Sequence, residues 1–372
     1  MRFQFKTDYN DDINIFKDRY HLFWYLLLGI ALVALPFVLG DYYVSQAIYI
    51  LIFSIAGLGL MVLVGHTGLV SLGHAAFLAA GAYSCINLEK LGVPFIFALP
   101  LAGLFAGVFG AVITIPVLRL TGIYLAIGTM ALAVIIEDII VLTEPITGGV
   151  AGLGVDSIKL LGDWTGSDAF NVDLYGTPFK FYFLCLFVTL MVTLLMINLL
   201  RSTTGRAFHA IRDSEVSARA MGINVIRYKA LSFGISCFIT GLAGGLLAHY
   251  LGHINHEAFL ILVSIELLMI VVIGGMGSIH GAFFGAFVFG MLPVFVTMFI
   301  ETFGAPLGIT SSTFPGLSTG VFAALLVSFI LLEPFGFYGM WLKIRTYFEL
   351  FPLYRKDMFK RQKSYLKTER MR

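Results

Sequence analysis

Nine runs of about twenty mostly apolar residues dominate this chain, near 22–39, 43–64, 94–115, 122–143, 179–200, 230–251, 259–276, 281–300 and 315–334. A helix of ~20 apolar residues is what crosses the hydrocarbon core of a bilayer. No water reaches backbone groups there, so each run has to close its own hydrogen bonds as a helix. With 59% of residues hydrophobic and 12% charged, a water-soluble domain cannot bury the apolar fraction. The expectation is an all-α polytopic membrane protein. The first run lacks a clear cleavage site and is followed at once by a second, so it reads as a retained anchor and not as a signal peptide.

One stretch between these runs does not fit. GHTGLVSLGHAAFLAAGAYS, Gly65 to Ser84, carries two histidines, two serines, a threonine and four glycines. It reads as a tenth span that is either weak or partly re-entrant. Basic residues test the count. Segment 201–229 holds Arg201, Arg206, Arg212, Arg219, Arg227 and Lys229, and 343–372 holds ten, including Lys343, Arg345, Lys356 and Arg361. Loop 144–178 is acidic, with Glu144, Asp156, Asp163, Asp168 and Asp173. The positive-inside rule makes the basic segments cytoplasmic and the acidic loop external. With ten spans, only Lys90, Lys159 and Lys180 of the 24 Lys/Arg fall outside. About ten helices are therefore expected. They divide the chain into a cytoplasmic tail (1–21), a membrane domain (22–334) with an inner loop at 201–229 and an outer loop at 144–178, and a basic cytoplasmic tail (335–372). Cationic tails of this kind attract anionic lipid heads.

The glycine-rich stretches echo one another. Gly65-x-x-Gly68 leads to His74-Ala-Ala-Phe77, and Gly274-x-x-Gly277 leads to His280-Gly-Ala-Phe283. Glycine at this density lets helices approach closely, or lets backbone unwind beside a solute path. Both interpretations stay open, as do the roles of His74 and His280 as polar gates or as satisfied buried imidazoles.

Segment 205–233, GRAFHAIRDSEVSARAMGINVIRYKALSF, is too polar for the membrane and too long for a turn. Ala207, Ile211, Ala218 and Met221 recur at spacings that suit short amphipathic helices. One runs from Ser214 to Gly222, with Asp213 or Ser214 as N-cap. A small helix of this kind suits a groove on another protein; a solvated loop that only enforces topology is the plainer alternative.

Ionisable groups within spans are costly, about 2.5–3.5 kcal/mol each on insertion scales. Glu137 and Asp138 lie toward the outer end of their run, while Glu266 is deeper and the better candidate for a polar path. In HYLGHINHE, His249, His253, His256 and Glu257 have helical spacing, but Gly252 can end the helix, and an interfacial polar cluster is preferred to a metal site. Cys85, Cys185 and Cys237 each lie in an apolar run and suggest no disulfide framework or metal cluster. No phosphate-binding loop, Gly-x-Ser-x-Gly elbow or His-Glu-x-x-His occurs. Chemical energy must come from a partner or an ion gradient. A proton-coupled transporter using Glu266 or Glu137, and a metal-dependent membrane enzyme built on the histidines, are the rival classes.

VSLGHAAFLAAGAY (70–83), LRLTGIYLAIGT (118–129), ITGGVAG (146–152), EVSARAMGIN (215–224) and GGMGSIHGAFFGA (274–286) occur in the order found in a known family. The chain resembles the LivM-type permease subunits of branched-chain amino-acid ABC importers over roughly 43–300. The resemblance implies an ABC-importer permease fold with a cytoplasmic coupling helix. It implies no enzyme activity, no cofactor bound by this chain and no nucleic acid. Two ATP-binding subunits would use ATP and Mg, alongside a second homologous permease and a periplasmic solute-binding protein. The location would be a bacterial inner membrane with the C-terminus in the cytoplasm. Carried over by motif, Asp213, Glu215, Ala218, Arg219 and Gly222 are the ATPase-coupling candidates. Ser71, His74, Thr129, Glu137 and Glu266 are the substrate-path candidates, and Gly65, Gly68, Gly73, Gly148, Gly149, Gly274, Gly275 and Gly277 are the flexible or packing glycines. Departures from the family pattern are Val134 in place of a frequent glutamate, Ser217 at the second coupling position, and Ser278 and His280 in the last motif. The same family includes urea and short-amide permeases.

Overall fold

The computed structural model describes residues 19–116, 120, 122–155, 158–159, 171–172, 178–304, several positions between 320 and 331, and 336–350. The N-terminal tail before residue 19, most of the span expected at 315–334, Arg119, most of loop 156–177 and the tail beyond 350 lie outside these residues.

Among the described residues, the helices with defined bounds are α1 (Arg19–Val38), α2 (Asp41–Met61), α3 (His74–Lys90), α4 (Phe95–Thr114), α5 (Ile123–Leu142), α6 (Glu144–Thr147), α7 (Phe179–Arg201), α8 (Thr203–Asp213), α9 (Glu215–Ala220), α10 (Val225–Leu251), α11 (Ile261–Gly274), α12 (Ile279–Gly304) and α13 (Gly336–Leu350). Among the described residues, seven helical segments are long and apolar enough to cross a membrane, those of α2, α4, α5, α7, α10, α11 and α12. The apolar part of α1, Leu22–Val38, is shorter. The expected tenth span is a 17-residue helix, α3, whose apolar face is almost wholly inside the bundle. The chain is a multi-pass membrane protein.

Burial ranks the helices. The α2 span is 83% buried, whereas that of α7 is 22% buried. Exposed Leu190, Leu194, Leu195 on α7 and Leu101, Leu104, Phe105 on α4 form an apolar outer surface, as lipid tails require. Lipid supplies no hydrophobic drive between helices, so association depends on close backbone approach. Here glycine does that work. A Cβ on Gly81 of α3 would strike Gly241 of α10, and one on Gly244 of α10 would strike the Leu78 carbonyl of α3. On α4, Gly103 and Gly107 take Leu242 and Phe238 of α10 in the same way. Helices α11 and α12 cross backbone on backbone where Gly274 meets Gly281 and Gly285 meets Ile270.

Two antiparallel strand pairs cap the end of the bundle reached by the C-terminus of α10. In one, β1 (Leu153–Gly154) pairs with β4 (His253–Ile254), registering Leu153 with Ile254; in the other, β2 (Ile158–Lys159) pairs with β3 (Asn171–Val172). The opposite end carries α8 and α9. The basic tail begins as helix α13, which packs on α11 and α12 rather than leaving the bundle.

Candidate functional site

The site is built where two helix breaks meet. Helix α2 does not stop at Met61 but continues through a wider π-helical turn, Val62–Thr67, closed by Gly68 in the left-handed region at φ 72°. Single π turns of this kind are found mostly at functional sites. The Thr67 hydroxyl donates to Leu63 O at 2.6 Å, and Leu69 N donates to the same carbonyl at 3.1 Å. The second break joins α11 to α12 through Gly275 and Gly277, both at positive φ. The two breaks touch directly, since a Cβ on Gly65 would lie 2.6 Å from Gly277 N. The sequence echo between these motifs is thus also a contact in space.

Between the π turn and α3, residues 69–73 are irregular yet mostly buried. Non-helical backbone at membrane depth is tolerated only when protein groups satisfy it. Side chains from three other helices do so. Leu72 N donates to Thr129 Oγ1 of α5 at 3.0 Å, and Ala75 N donates to Ser264 Oγ of α11 at 2.8 Å. His74 Nε2 lies 2.8 Å from Ser236 Oγ of α10, and Ser236 donates its only hydroxyl proton to Gly59 O at 2.7 Å. Ser236 must therefore accept from His74 Nε2–H. A neutral His74 then has a bare Nδ1, which accepts from the Ser71 hydroxyl at 2.9 Å. These bonds account for the polar residues inside an otherwise apolar stretch. Thr129 and Ser71 accept from backbone N–H groups that the break leaves open, His74 ties Ser71 to Ser236 of α10, and all three are fully enclosed.

The other path candidates stand apart. Glu137 on α5 is half-buried and Asp138 is exposed, while Glu266 on α11 is half-buried. A cleft of ≈ 430 Å³ opens between α2 and α12, lined by Tyr42, Tyr43, Gln46 and Thr297 among others. Gly148 ends α6 in the left-handed region at φ 73°, and Gly149 follows at φ 58°. These two glycines lie in the loop above the strand-capped end, where His253 Nε2 donates to Ala151 O at 3.0 Å. His249 and His253 do not share a helical face, because α10 ends at Gly252 with φ 71°.

At the other end, three side-chain caps in quick succession divide a polar segment into helices. Gly205 N donates to Ser202 Oγ, Ser217 N to Ser214 Oγ and Arg227 N to Asn224 Oδ1. Capping matters most for helices this short. Ala218 is buried against Ile211 and Val225, which fixes α9 on α8 and α10. Glu215 pairs with Lys229 at 2.6 Å, with the lysine side chain only 4% exposed. Asp213, Arg219 and Gly222 are exposed, and Gly222 has φ 83°. Val216 at 79% exposure and Met221 at 81% stand outward with them. The nature of this surface is decided by that mixture of charge and bare apolar side chains, which suits protein better than lipid.

Sequence reasoning missed the connection between the two regions. Arg212, at the end of α8, donates from Nη1 to Gly65 O in the π turn. Its guanidinium also borders Gly277, and its aliphatic stem covers Gly68. Beside it, the rings of His66 and His209 meet edge to face, with centroids 4.8 Å apart. Arg212 had the same basic signature as its five neighbours in 201–229, so no local signal marked it out. Lys229 was hidden in the same way.

Comparison with known proteins follows the same lines. A family model described as branched-chain amino acid transport system / permease component matches residues 42–332. The high-affinity branched-chain amino acid transport system permease protein LivM of Salmonella typhimurium is 39% identical over 273 residues, 69% of this chain and 64% of that protein. LivM of Escherichia coli is 38% identical over the same shares. The chain's match thus spans a little under two thirds of the length of these relatives. The permease protein LivH of Salmonella typhimurium is 24% identical over 67% of this chain and 83% of its own. No solved structure matches significantly.

Proposed function

The chain belongs to the branched-chain amino acid transport system / permease component family, and we propose that it is the membrane-conducting subunit of an ATP-driven importer. The family is one of transport permease components, not of enzymes. The observation that carries the proposal is the pair of capped helices α8 and α9, which present Val216, Arg219 and Met221 outward while Arg212 reaches Gly65 within the bundle. A surface with both features suits transmission between a soluble partner and a helix break.

In this mechanism a periplasmic binding protein delivers a branched-chain or other hydrophobic amino acid to the strand-capped end. Of two ATP-binding subunits, which use ATP with Mg, one docks at α9, where Asp213, Glu215, Ala218, Arg219 and Gly222 form or hold the docking surface. This chain contributes no cofactor to that step. A second, LivH-like permease completes the pathway, consistent with relatives of both names. Movement of α8 pulls on Gly65 through Arg212, and the glycine breaks at Gly65–Gly68 and Gly274–Gly277 let α2 and α12 shift against each other. Ser71, His74 and Thr129 hold the broken segment together in the enclosed state, while Glu137 and Glu266 are the candidates to face solute. The full topology has ten spans in a bacterial inner membrane, with α8, α9 and the C-terminus in the cytoplasm, as the positive-inside count supports.

Uptake and ATP hydrolysis of the assembled importer test this reading. Arg219→Glu and Gly222→Asp should abolish substrate-stimulated uptake while leaving membrane insertion intact. Normal uptake in both variants rejects the docking role. Uptake of urea or short amides in place of leucine would move the chain to the other branch of substrates.

A further inference from the structure

The strand-capped end of the bundle holds a buried trio that stands outside the proposed solute path. Cys85 and Glu89 stand one turn apart on α3, and His249 faces them from the last turns of α10. One donor atom from each, thiol Sγ, carboxylate oxygen and imidazole nitrogen, all lie within 4.8 Å of one another. Cys85 and His249 are fully buried, and the Glu89 side chain is 19% exposed.

The imidazole is already oriented. His249 Nδ1 lies 2.8 Å from Gly245 O, and a carbonyl only accepts, so Nδ1 carries a proton and donates it. Nε2 then points at Glu89 Oε2, 3.0 Å away, while Cys85 Sγ lies 3.6 Å from Glu89 Oε1. A backbone carbonyl holding one ring nitrogen while the other faces further donors is the usual outer support of a metal-binding histidine. The Phe95 ring packs edge-on against the imidazole, with centroids 5.0 Å apart. Gly245 leaves room for the thiol, since a Cβ there would come 3.3 Å from Cys85 Sγ.

We propose that Cys85, Glu89 and His249 bind one divalent ion of the zinc class, with a water entering from the Glu89 side as fourth ligand. Mixed sulfur, nitrogen and oxygen donors select a borderline-soft ion with tetrahedral preference. Bonds of about 2.0–2.3 Å place tetrahedral ligand atoms roughly 3.3–3.7 Å apart, so small side-chain shifts complete the geometry. Charge balances as well. Without metal, one proton lies between Nε2 and the Glu89 carboxylate and another on the thiol. The ion displaces both protons to solvent, leaving one thiolate, one carboxylate and a neutral imidazole around a double positive charge. The complex is neutral overall, as a buried site between helices requires. Occupancy ties α3 to α10. His253 and His256, the other histidines of the same sequence run, take no part.

The test is zinc titration of the full-length chain in detergent, carrying a tag that lacks histidine. One zinc per chain is expected, with affinity reduced at least tenfold in Cys85→Ser and in His249→Gln and unchanged in His253→Gln and His256→Gln. Cobalt in place of zinc should give a thiolate-to-metal charge-transfer band that persists in a Cys185→Ser, Cys237→Ser background and vanishes with Cys85→Ser. The cobalt band decides the matter on folded protein if either ligand variant misfolds. No stoichiometric binding, or equal binding by the two ligand variants when folded, overturns the proposal, whatever the outcome of transport assays.

Discussion

Arg212 of α8 donates to the carbonyl of Gly65, a residue 147 positions earlier and inside the π turn that ends α2. Gly65 in turn rests on Gly277, so one guanidinium sits where both glycine breaks meet. A hydrogen bond from a charged donor contributes about 1.5–3 kcal/mol. Arg212→Ala should therefore lower uptake about tenfold or more while ATP hydrolysis continues, and Arg212→Lys, which keeps the charge but loses the planar fork, should recover part of it. Uptake and ATPase rates measured side by side in proteoliposomes check this.

The glycine contact makes a second prediction. Gly65→Ala forces a methyl group against Gly277 backbone, and Gly277→Ala adds strain at φ 88°, worth about 1–2 kcal/mol for a left-handed residue. Both should lower thermal stability in detergent. Gly154→Ala has open space around it and no positive φ, and should melt with the wild type.

Ser236 supports the broken segment by accepting from His74 and donating to Gly59. Ser236→Ala leaves the buried His74 Nε2–H without its partner, at about 1–3 kcal/mol, and takes from Gly59 O one donor beside the Val62 N–H. It should destabilise the chain more than Thr193→Ala, whose hydroxyl only returns to its own helix at Thr189 O. Melting curves of the two variants make the comparison.

Much of the fold was legible because hydrophobic run length is set by the membrane and not by tertiary detail. The polar and glycine content of 65–84 marked a disturbed helix correctly, and the echo with 274–286 marked a second. Their meeting was not legible, nor was the partner of His74, which lies 162 residues away. Spacing alone suggested one face for the histidines of 249–256. Gly252 turns the chain after His249, which leaves that ring facing Glu89 on α3. Lys229 counted as one more cytoplasmic base, although burial and its bond to Glu215 set it apart from Arg227 two residues before.

That ion pair is asymmetric, and so are its variants. Glu215 is 34% exposed and can hydrate when left alone, whereas Lys229, at 4%, cannot. Removing one member of a fully buried pair costs about 3–5 kcal/mol, and partial exposure of the glutamate reduces this. Glu215→Gln should thus destabilise α9 more than Lys229→Met, read as faster proteolysis of segment 201–224.

Docking of α9 on an ATP-hydrolysing partner is best probed through Val216 and Met221. Both are exposed and neither supports the bundle, so Val216→Asp with Met221→Asp leaves the chain folded. The measurement is affinity purification of wild-type and doubly substituted chain from intact membranes in mild detergent, with identification of what accompanies each. Two ATP-binding subunits and a second permease are expected with the wild type, and a reduced yield of ATP-binding subunit, with the second permease retained, is expected with the variant. Recovery of the wild type without ATP-binding subunits, even after crosslinking, or their undiminished recovery with the variant, would contradict docking at α9.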